Sequence, residues 1–377
     1  MTAQRGLGLL VDLRDGRDVW AQPGGFSWSP DLFYLNVNLF NIYVNLYYMD
    51  RPAIANRERP WRGALSLGLA AAPALTLLGF IMAADLALCF LGLVVDRRVI
   101  TGAPAWLKPA KFALSVLIAS WSFAFCIAST RSWRIFTRAL DVGLTVAFVL
   151  EIALIDMQAA RGTTSHFNLS TRFDAIVFAV MGISIACVWL AMLALTIVLF
   201  RQRFASSAWG WSLRLGMVIA LIGTGSGALM TMPNSRQLAE AHTTGRLPIG
   251  GAHTVGAPDG GPGLPVTGWS ADHGDLRVAH FVGMHGLQVL PLLAWWIGRR
   301  RPAPDERAQR NLVFAMAASY LAFFGLILWQ AFRGQSLAQP DSVSLESLAV
   351  WVLLTAVTVL ALGRKRSYLL NDKKGIA

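Results

Sequence analysis

Residues 175–200 read AIVFAVMGISIACVWLAMLALTIVLF and contain no charged side chain. Residues 63–84 form a second uncharged run of this kind. A helix of about 20 apolar residues crosses the hydrocarbon core of a bilayer, and both runs reach that length. Over all 377 residues, 55% are hydrophobic and only 14% are charged, against about 25% charged in soluble domains. The composition therefore excludes an ordinary soluble fold and predicts a polytopic membrane protein.

Hydropathy windows of about 19 residues place the remaining spans. The sequence predicts an all-α transmembrane helix bundle of about eight spans. They lie near residues 66–92, 112–130, 140–159, 175–200, 213–232, 279–298, 312–331 and 345–363. Residues 63–232 then contain spans one to five, residues 279–363 contain spans six to eight, and residues 364–377 form a basic tail.

The net charge of +12 could suggest a nucleic-acid partner, but the positions of the basic residues favour another explanation. The connections after spans two, four and six, together with the tail, hold 16 Lys and Arg, against 10 on the alternate side. Basic residues concentrate on the cytoplasmic side of membrane proteins. The pattern predicts a multi-pass plasma (inner) membrane protein with both termini cytoplasmic, whose partner is the lipid bilayer and not nucleic acid.

The arm of residues 1–62 contains an uncharged run at 32–49 that could pass for a ninth span. Tyr34, Asn38, Asn41 and Asn45 fall on one helical stripe, beside an arc of apolar residues. Several asparagines are costly in hydrocarbon, so an amphipathic helix in the membrane interface is favoured over a span.

The connection 233–278 has 46 residues, nine Gly and five Pro, and three of the six histidines. Loops of this length without a helix of their own are usually functional or disordered. Trp269, Val255 and Leu264 are unusual in disordered linkers. The sequence predicts an ordered extracytoplasmic cap over the outer ends of the spans.

All six histidines fall on the predicted outer side or in the outer half of a span. Span six opens with His280 and His285, which lie about 140° apart on a helix. Imidazole binds iron, zinc and copper, so we predict His166, His280 and His285 as metal ligands. The alternative is that these histidines only form hydrogen bonds to neighbouring helices.

Glu151 lies near the middle of span three. A carboxylate at that depth is costly unless it is protonated, paired or bound to a cation. We therefore predict Glu151 as a catalytic residue, with a structural pair or a protonated hydrogen bond as the alternative.

Basic side chains surround the predicted outer mouth. Lys108, Lys111, Arg161 and Arg277, with Gln288 of span six, are the predicted cofactor-binding residues, since Lys and Arg bind carboxylates, phosphates and porphyrin propionates. Interfacial anchoring is the alternative for the lysines. Gly223 and Gly227 have the GxxxG spacing of helix packing.

These residues favour a polar, histidine-containing pocket on the extracytoplasmic side that binds a haem, a quinone or a metal in a redox role. A haem or a transition metal is the expected cofactor, with a lipophilic or anionic small molecule as a possible ligand. Three alternatives stay open: a scaffold or assembly subunit, a metal-assisted lipid-modifying enzyme, and a proton-coupled transporter. No HExxH spacing is present for a metalloenzyme, and few polar residues line a through-path for a transporter. The sequence does not decide whether the chain is an enzyme.

Overall fold

The structure is a computed structural model that describes residues 60–130, 133–299 and 305–372. The predicted interfacial helix at 32–49, with almost all of the arm 1–62, lies outside the described residues, as do residues 373–377. The described residues are predominantly helical.

The first four helices pack against one another in the first part of the bundle. They are α1 (Pro60–Ala71), α2 (Pro73–Val95), α3 (Leu107–Ala128) and α4 (Arg134–Ala160). Between α2 and α3, β1 (Val99–Ile100) and β2 (Ala103–Pro104) form a short antiparallel hairpin. Helix α3 packs against both α2 and α4.

The second half of the chain continues the bundle. It contains α5 (Arg172–Arg201), α6 (Ser207–Gly225), a 3₁₀ turn (Ser226–Thr231), α7 (Ser235–Thr244), α8 (Leu276–Met284), α9 (Gly286–Arg299), α10 (Glu306–Phe332) and α11 (Ser342–Asp372). Helix α6 lies at the centre, because it packs against α5, α8, α9 and α10. Strands β3 (Thr254–Val255) and β4 (Gly274–Asp275) pair antiparallel.

Six described helical segments are long and apolar enough to cross a membrane, which is compatible with a multi-pass membrane protein. They are α2, α3, α5, the segment Ser207–Thr244 that begins with α6, α10, and α11 as far as Leu362. The bent pair α8 and α9 passes the same test when it is taken as one span. Helix α4 is not among these segments.

The first predicted span is divided in the structure. A break at Ala72 separates α1 from α2, and Pro73 occupies the start of α2, where a missing N–H costs nothing. No side chain of α2 caps this end. Instead, Asp141 of α4 accepts hydrogen bonds from the backbone N–H groups of Ala74 and Leu75, at 3.1 and 2.9 Å. The buried Asp141 therefore has a structural role that the sequence pattern did not predict.

The connections that follow α2, α4, α6 and α10 contact one another at one end of the bundle. The backbone N–H of Leu169 donates to the carbonyl of Pro248, and the hydroxyl of Ser336 donates to the carbonyl of Ser270. At the other end, Glu306 accepts hydrogen bonds from Ser206 and from the backbone N–H of Ala208. Alternate connections thus gather at opposite ends.

The connection 233–278 differs from its prediction in having its own helix, α7. Asn234 and Gln237 form a capping box at the start of α7, and Gly245 ends it with a φ of +66°. After α7 the chain pairs with other connections: the N–H of Gly250 donates to the carbonyl of Phe167. The segment thus has both local structure and contacts to its neighbours.

Candidate functional site

Helix α4 carries Glu151 into the interior. Its side chain is 1% exposed, and neither carboxylate oxygen has a hydrogen-bond partner among the described residues. A buried polar group without a partner costs several kcal/mol in an apolar environment, by order of magnitude. Glu151 therefore needs a proton, a cation or a bound molecule that the protein itself does not supply.

His166 is the nearest titratable group to Glu151. It lies in the connection after α4, and its Nε2 is 3.7 Å from Oε1 of Glu151. Its Nδ1 lies 3.1 Å from the hydroxyl of Ser165, and its ring contacts the ring of Phe112 with centroids 5.5 Å apart. The distance to Glu151 is too long for a hydrogen bond but short enough for one ligand atom to contact both groups.

Burial lowers the pKa of His166 well below its usual value of 6.5. A positive charge on Lys108, or on His253 or His280 when either is protonated, lowers this pKa further. His166 is therefore neutral at pH 7, and its approach to Glu151 is not an ion pair at that pH. It also follows that these three cationic or basic groups surround His166 closely enough to influence its charge.

Lys108 approaches the same place from the first turn of α3. Its ammonium group lies 5.9 Å from the centroid of the Phe112 ring, and no group among the described residues hydrogen-bonds to it. Helix α3 begins at Leu107, earlier than predicted, because Pro109 falls in the first helical turn, where its missing N–H has no helical partner. Lys108 is the predicted cofactor-binding cation that remains available.

The loop before α8 contributes His253, whose Nδ1 lies 2.6 Å from Oδ2 of Asp259. Asp259 also accepts hydrogen bonds from the backbone N–H groups of His253 and Thr254. Burial would raise the pKa of Asp259, but these hydrogen bonds hold it well below its usual value. Since a carboxylate can only accept, His253 carries its proton on Nδ1, and Nε2 keeps a lone pair.

His280 of α8 has the same arrangement. Its Nδ1 lies 2.8 Å from the backbone carbonyl of Gly223, which can only accept, so the proton is again on Nδ1 and Nε2 is the acceptor. The ring lies against Gly227, where an added Cβ would be 2.9 Å from Cε1 of the imidazole. Gly227 thus makes room for His280, while Gly223 packs directly on the backbone of Gly283.

We call Glu151, His166, Lys108, His253 and His280, with Asp259 behind His253, the histidine cluster. It combines a buried acid without a hydrogen bond, a lysine without a hydrogen bond, and two imidazoles whose Nδ1–H is already used. These groups can donate and accept protons around a polar ligand. The sequence pattern offered His253 only as one of several histidines that could reach the site, and it did not indicate Asp259, because their pairing depends on loop geometry.

The other predicted basic residues have protein partners. Lys111 donates to the carbonyl of Thr267 at 2.8 Å, Arg161 pairs with Asp174 at 2.7 Å, and Arg277 pairs with Asp275 at 2.5 Å. Each contact connects a helix end to a neighbouring segment or stabilises the start of a helix. These three residues therefore hold the connections at this end of the bundle in place.

His285 and Gln288 lie apart from the histidine cluster. His285 occupies the break between α8 and α9, where the helices bend by 46°. Its Nδ1 lies 3.2 Å from the amide oxygen of Gln288, whose NH₂ donates to the hydroxyl of Ser122 at 2.9 Å. This chain links α9 to α3.

The distances between potential metal-ligand atoms show which groups of residues approach the spacing that a metal site requires. Among the described residues, three potential ligand atoms come within 4.8 Å of one another only at Asp85, Cys89 and Asp156. The predicted ligands His166, His280 and His285 do not form such a group. A bare metal ion at the histidine cluster would require these side chains to rearrange.

No family model matches the chain, and no curated protein or solved structure is significantly similar to it.

Proposed function

We propose that the chain is a multi-pass integral membrane protein whose histidine cluster forms a pocket on the extracytoplasmic side and binds a quinone in a redox role. The single observation that carries the proposal is the set of unused polar atoms in the cluster. Glu151 has no hydrogen-bond partner, and His253 and His280 each keep a free Nε2.

The membrane arrangement in this proposal has eight spans. Helix α4 is the eighth, since its 27 residues extend about 40 Å at 1.5 Å per residue, and it packs between α3 and α5. The excess of basic residues in alternate connections places both termini in the cytoplasm, and the segment 233–278 caps the outer end.

The donor set fits a quinone better than a bare metal. Quinone carbonyls accept hydrogen bonds, which Lys108 and a neutral His166 can donate. A bare metal ion needs three or four ligand atoms in one compact sphere, and the cluster does not provide one in this arrangement. A haem brings four ligands of its own, but the close packing of Gly223 on Gly283 removes one surface on which a flat macrocycle could lie.

A bound quinone would supply the reversible uptake of electrons and protons. The chain's own residues would bind and orient it and exchange protons with the solvent. Lys108 would donate to one carbonyl. Because a quinone takes up two protons when two electrons reduce it, Glu151 and His166, 3.7 Å apart, would be placed to hold protons for transfer to and from it. Asp259 would keep His253 in the tautomer that accepts at Nε2.

The experiment is extraction and spectroscopy of the protein purified in mild detergent. Organic extraction followed by chromatography should recover a quinone in a stoichiometric amount, and the Lys108→Met variant should lose it. A Soret band would show that the bound group is a haem and not a quinone. A colourless protein without quinone that releases a metal would favour a metal enzyme, and a preparation without any of the three would contradict the proposal.

A proton-coupled transporter is the second candidate, because α4 carries the buried Glu151 and the half-buried Asp156 on different faces. Glu151 lies beside His166, while Asp156 lies beside Asp85 of α2. Acids inside spans commonly form proton relays. Proton flux across vesicles containing the purified protein, abolished by Glu151→Gln, would favour this function over quinone binding.

A further inference from the structure

A second polar group lies between α2 and α4, on a different face of α4 from Glu151. Asp85 and Cys89 are four residues apart on α2, so they share one helical face. Asp156 of α4 meets them there. One atom from each of the three side chains lies within 4.8 Å of the other two.

Two observations indicate that this group can bind a ligand. Oδ2 of Asp85 and Oδ1 of Asp156 are buried atoms without a hydrogen-bond partner. Cys89 is 0% exposed, and its thiol has no hydrogen bond among the described residues although it points into the group. A fully buried thiol next to two acids is not explained by apolar packing alone.

We propose that Asp85, Cys89 and Asp156 form a site for a divalent transition-metal cation such as Zn²⁺. A thiolate and two carboxylates are ligands that zinc accepts, and three protein ligands leave a fourth position for water or another molecule. Tetrahedral ligands bonded at about 2.0 to 2.3 Å lie about 3.3 to 3.7 Å apart. Closing the group around the ion therefore requires side-chain movements of about 1 Å.

Charge gives the physical reason for the site. Without a cation, the carboxyl groups of Asp85 and Asp156 lie close together, and two like charges at that distance repel each other, which favours a state in which one of them holds a proton. A divalent cation would displace that proton and the thiol proton of Cys89, and would balance two of the three resulting negative charges. The competing state is a carboxyl pair that holds only a proton.

The test is cobalt binding to the full-length protein in detergent after treatment with a chelator. Co²⁺ bound by a thiolate gives a near-ultraviolet charge-transfer absorption. We expect one equivalent of Co²⁺ to produce this absorption in the wild-type protein, Cys89→Ser to abolish it, and Asp156→Asn to weaken binding at least tenfold. Zn²⁺ should displace the Co²⁺ and remove the absorption.

Cys126→Ser is the matched control, because Cys126 is equally buried but belongs to no such group of ligands. It should leave the absorption unchanged. If Cys89→Ser does not fold, Asp156→Asn decides the question, since it retains the thiol. Absence of the absorption in the wild type, its survival in Cys89→Ser, or unchanged affinity in Asp156→Asn would each overturn the proposal. Quinone extraction does not depend on these residues, so the two proposals can fail separately.

Discussion

The imidazole of His166 lies 3.7 Å from the carboxylate of Glu151, although the two residues belong to a loop and to the interior of a helix. The contact exists because the connection after α4 folds back over the helix end. Arg161 and Gln158 hold that connection by hydrogen bonds to Asp174 at the start of α5. A loop histidine thus reaches an acid that lies nine residues before the end of α4.

Glu151→Gln should separate ligand binding from stability. The amide keeps the size of the side chain but cannot be ionised, so the cost of burying a charge disappears. We expect a melting temperature equal to or above that of the wild type, and quinone affinity at least about tenfold lower, the equivalent of one charge-assisted hydrogen bond. Thermal unfolding and quinone titration in detergent measure the two effects.

Ser184→Ala is the control for this substitution, because Ser184 donates to the carbonyl of Ala147 one turn away on α4. It should lower stability slightly and leave quinone affinity unchanged. A Glu151→Gln protein that binds quinone like the wild type would remove Glu151 from the site.

The protonation of His166 in acid should lower the free energy of unfolding. Burial holds the folded-state pKa of His166 well below 6.5, while the unfolded chain takes up a proton near 6.5. Its contribution is therefore complete above about pH 7 and is lost as the pH falls below 6.5. We therefore expect the change from pH 7.5 to pH 5.5 to lower the melting temperature of the wild type relative to that of His166→Gln.

His242→Gln provides the comparison, since His242 is exposed on α7. The melting temperature of this variant should depend on pH in the same way as that of the wild type. An equal loss of pH dependence in the two variants would show that the effect does not come from the buried His166.

Helix positions were the most predictable part of the fold. The run 175–200 corresponds to α5, because a continuous apolar segment has flanking signals at both ends: Thr171 caps the start, and Arg201 lies in the last turn. The first span was less predictable, since Pro73 lies inside an apolar run, and hydropathy does not register the break that it marks. Its cap, Asp141, comes from another helix.

The histidine cluster was only partly predictable. The chain order of span three and His166 indicated that Glu151 and His166 could be near each other. His253 and Asp259 pair across a loop of six residues, which has no helical or strand periodicity to reveal it. The angle between His280 and His285 was predicted from an unbroken helix, but the chain bends at His285. Near this bend, Tyr320 donates a hydrogen bond to the carbonyl of Val282 at 2.6 Å.

The cap that Asp141 forms on α2 should be worth a measurable part of the stability. Asp141→Ala removes both acceptors from the N–H groups of Ala74 and Leu75. Losing a cap costs about 1 kcal/mol, and leaving buried donors unsatisfied costs about 1–3 kcal/mol. We expect the free energy of unfolding in detergent to fall by about 2–3 kcal/mol.

Asp305→Ala is its counterpart at an exposed helix end, where Asp305 accepts from the N–H of Ala308. Water can replace that bond, so the loss should be about 1 kcal/mol or less. Equal losses in the two variants would mean that the start of α2 is reached by water and that Asp141 is not needed there.

The predicted orientation can be tested with single cysteines at the two ends of the bundle. Asp272, in the segment before α8, and Ala205, between α5 and α6, are both exposed, and the connections that contain them gather at opposite ends. In a background without the three native cysteines, we expect a membrane-impermeant maleimide added to intact cells to label Asp272→Cys and not Ala205→Cys. Opening the cells should make both positions reactive, because Ala205 then meets the reagent from the cytoplasmic side. Labelling of Ala205→Cys alone in intact cells would show that the bundle has the opposite orientation. The histidine cluster would then face the cytoplasm, contrary to the positive-inside rule.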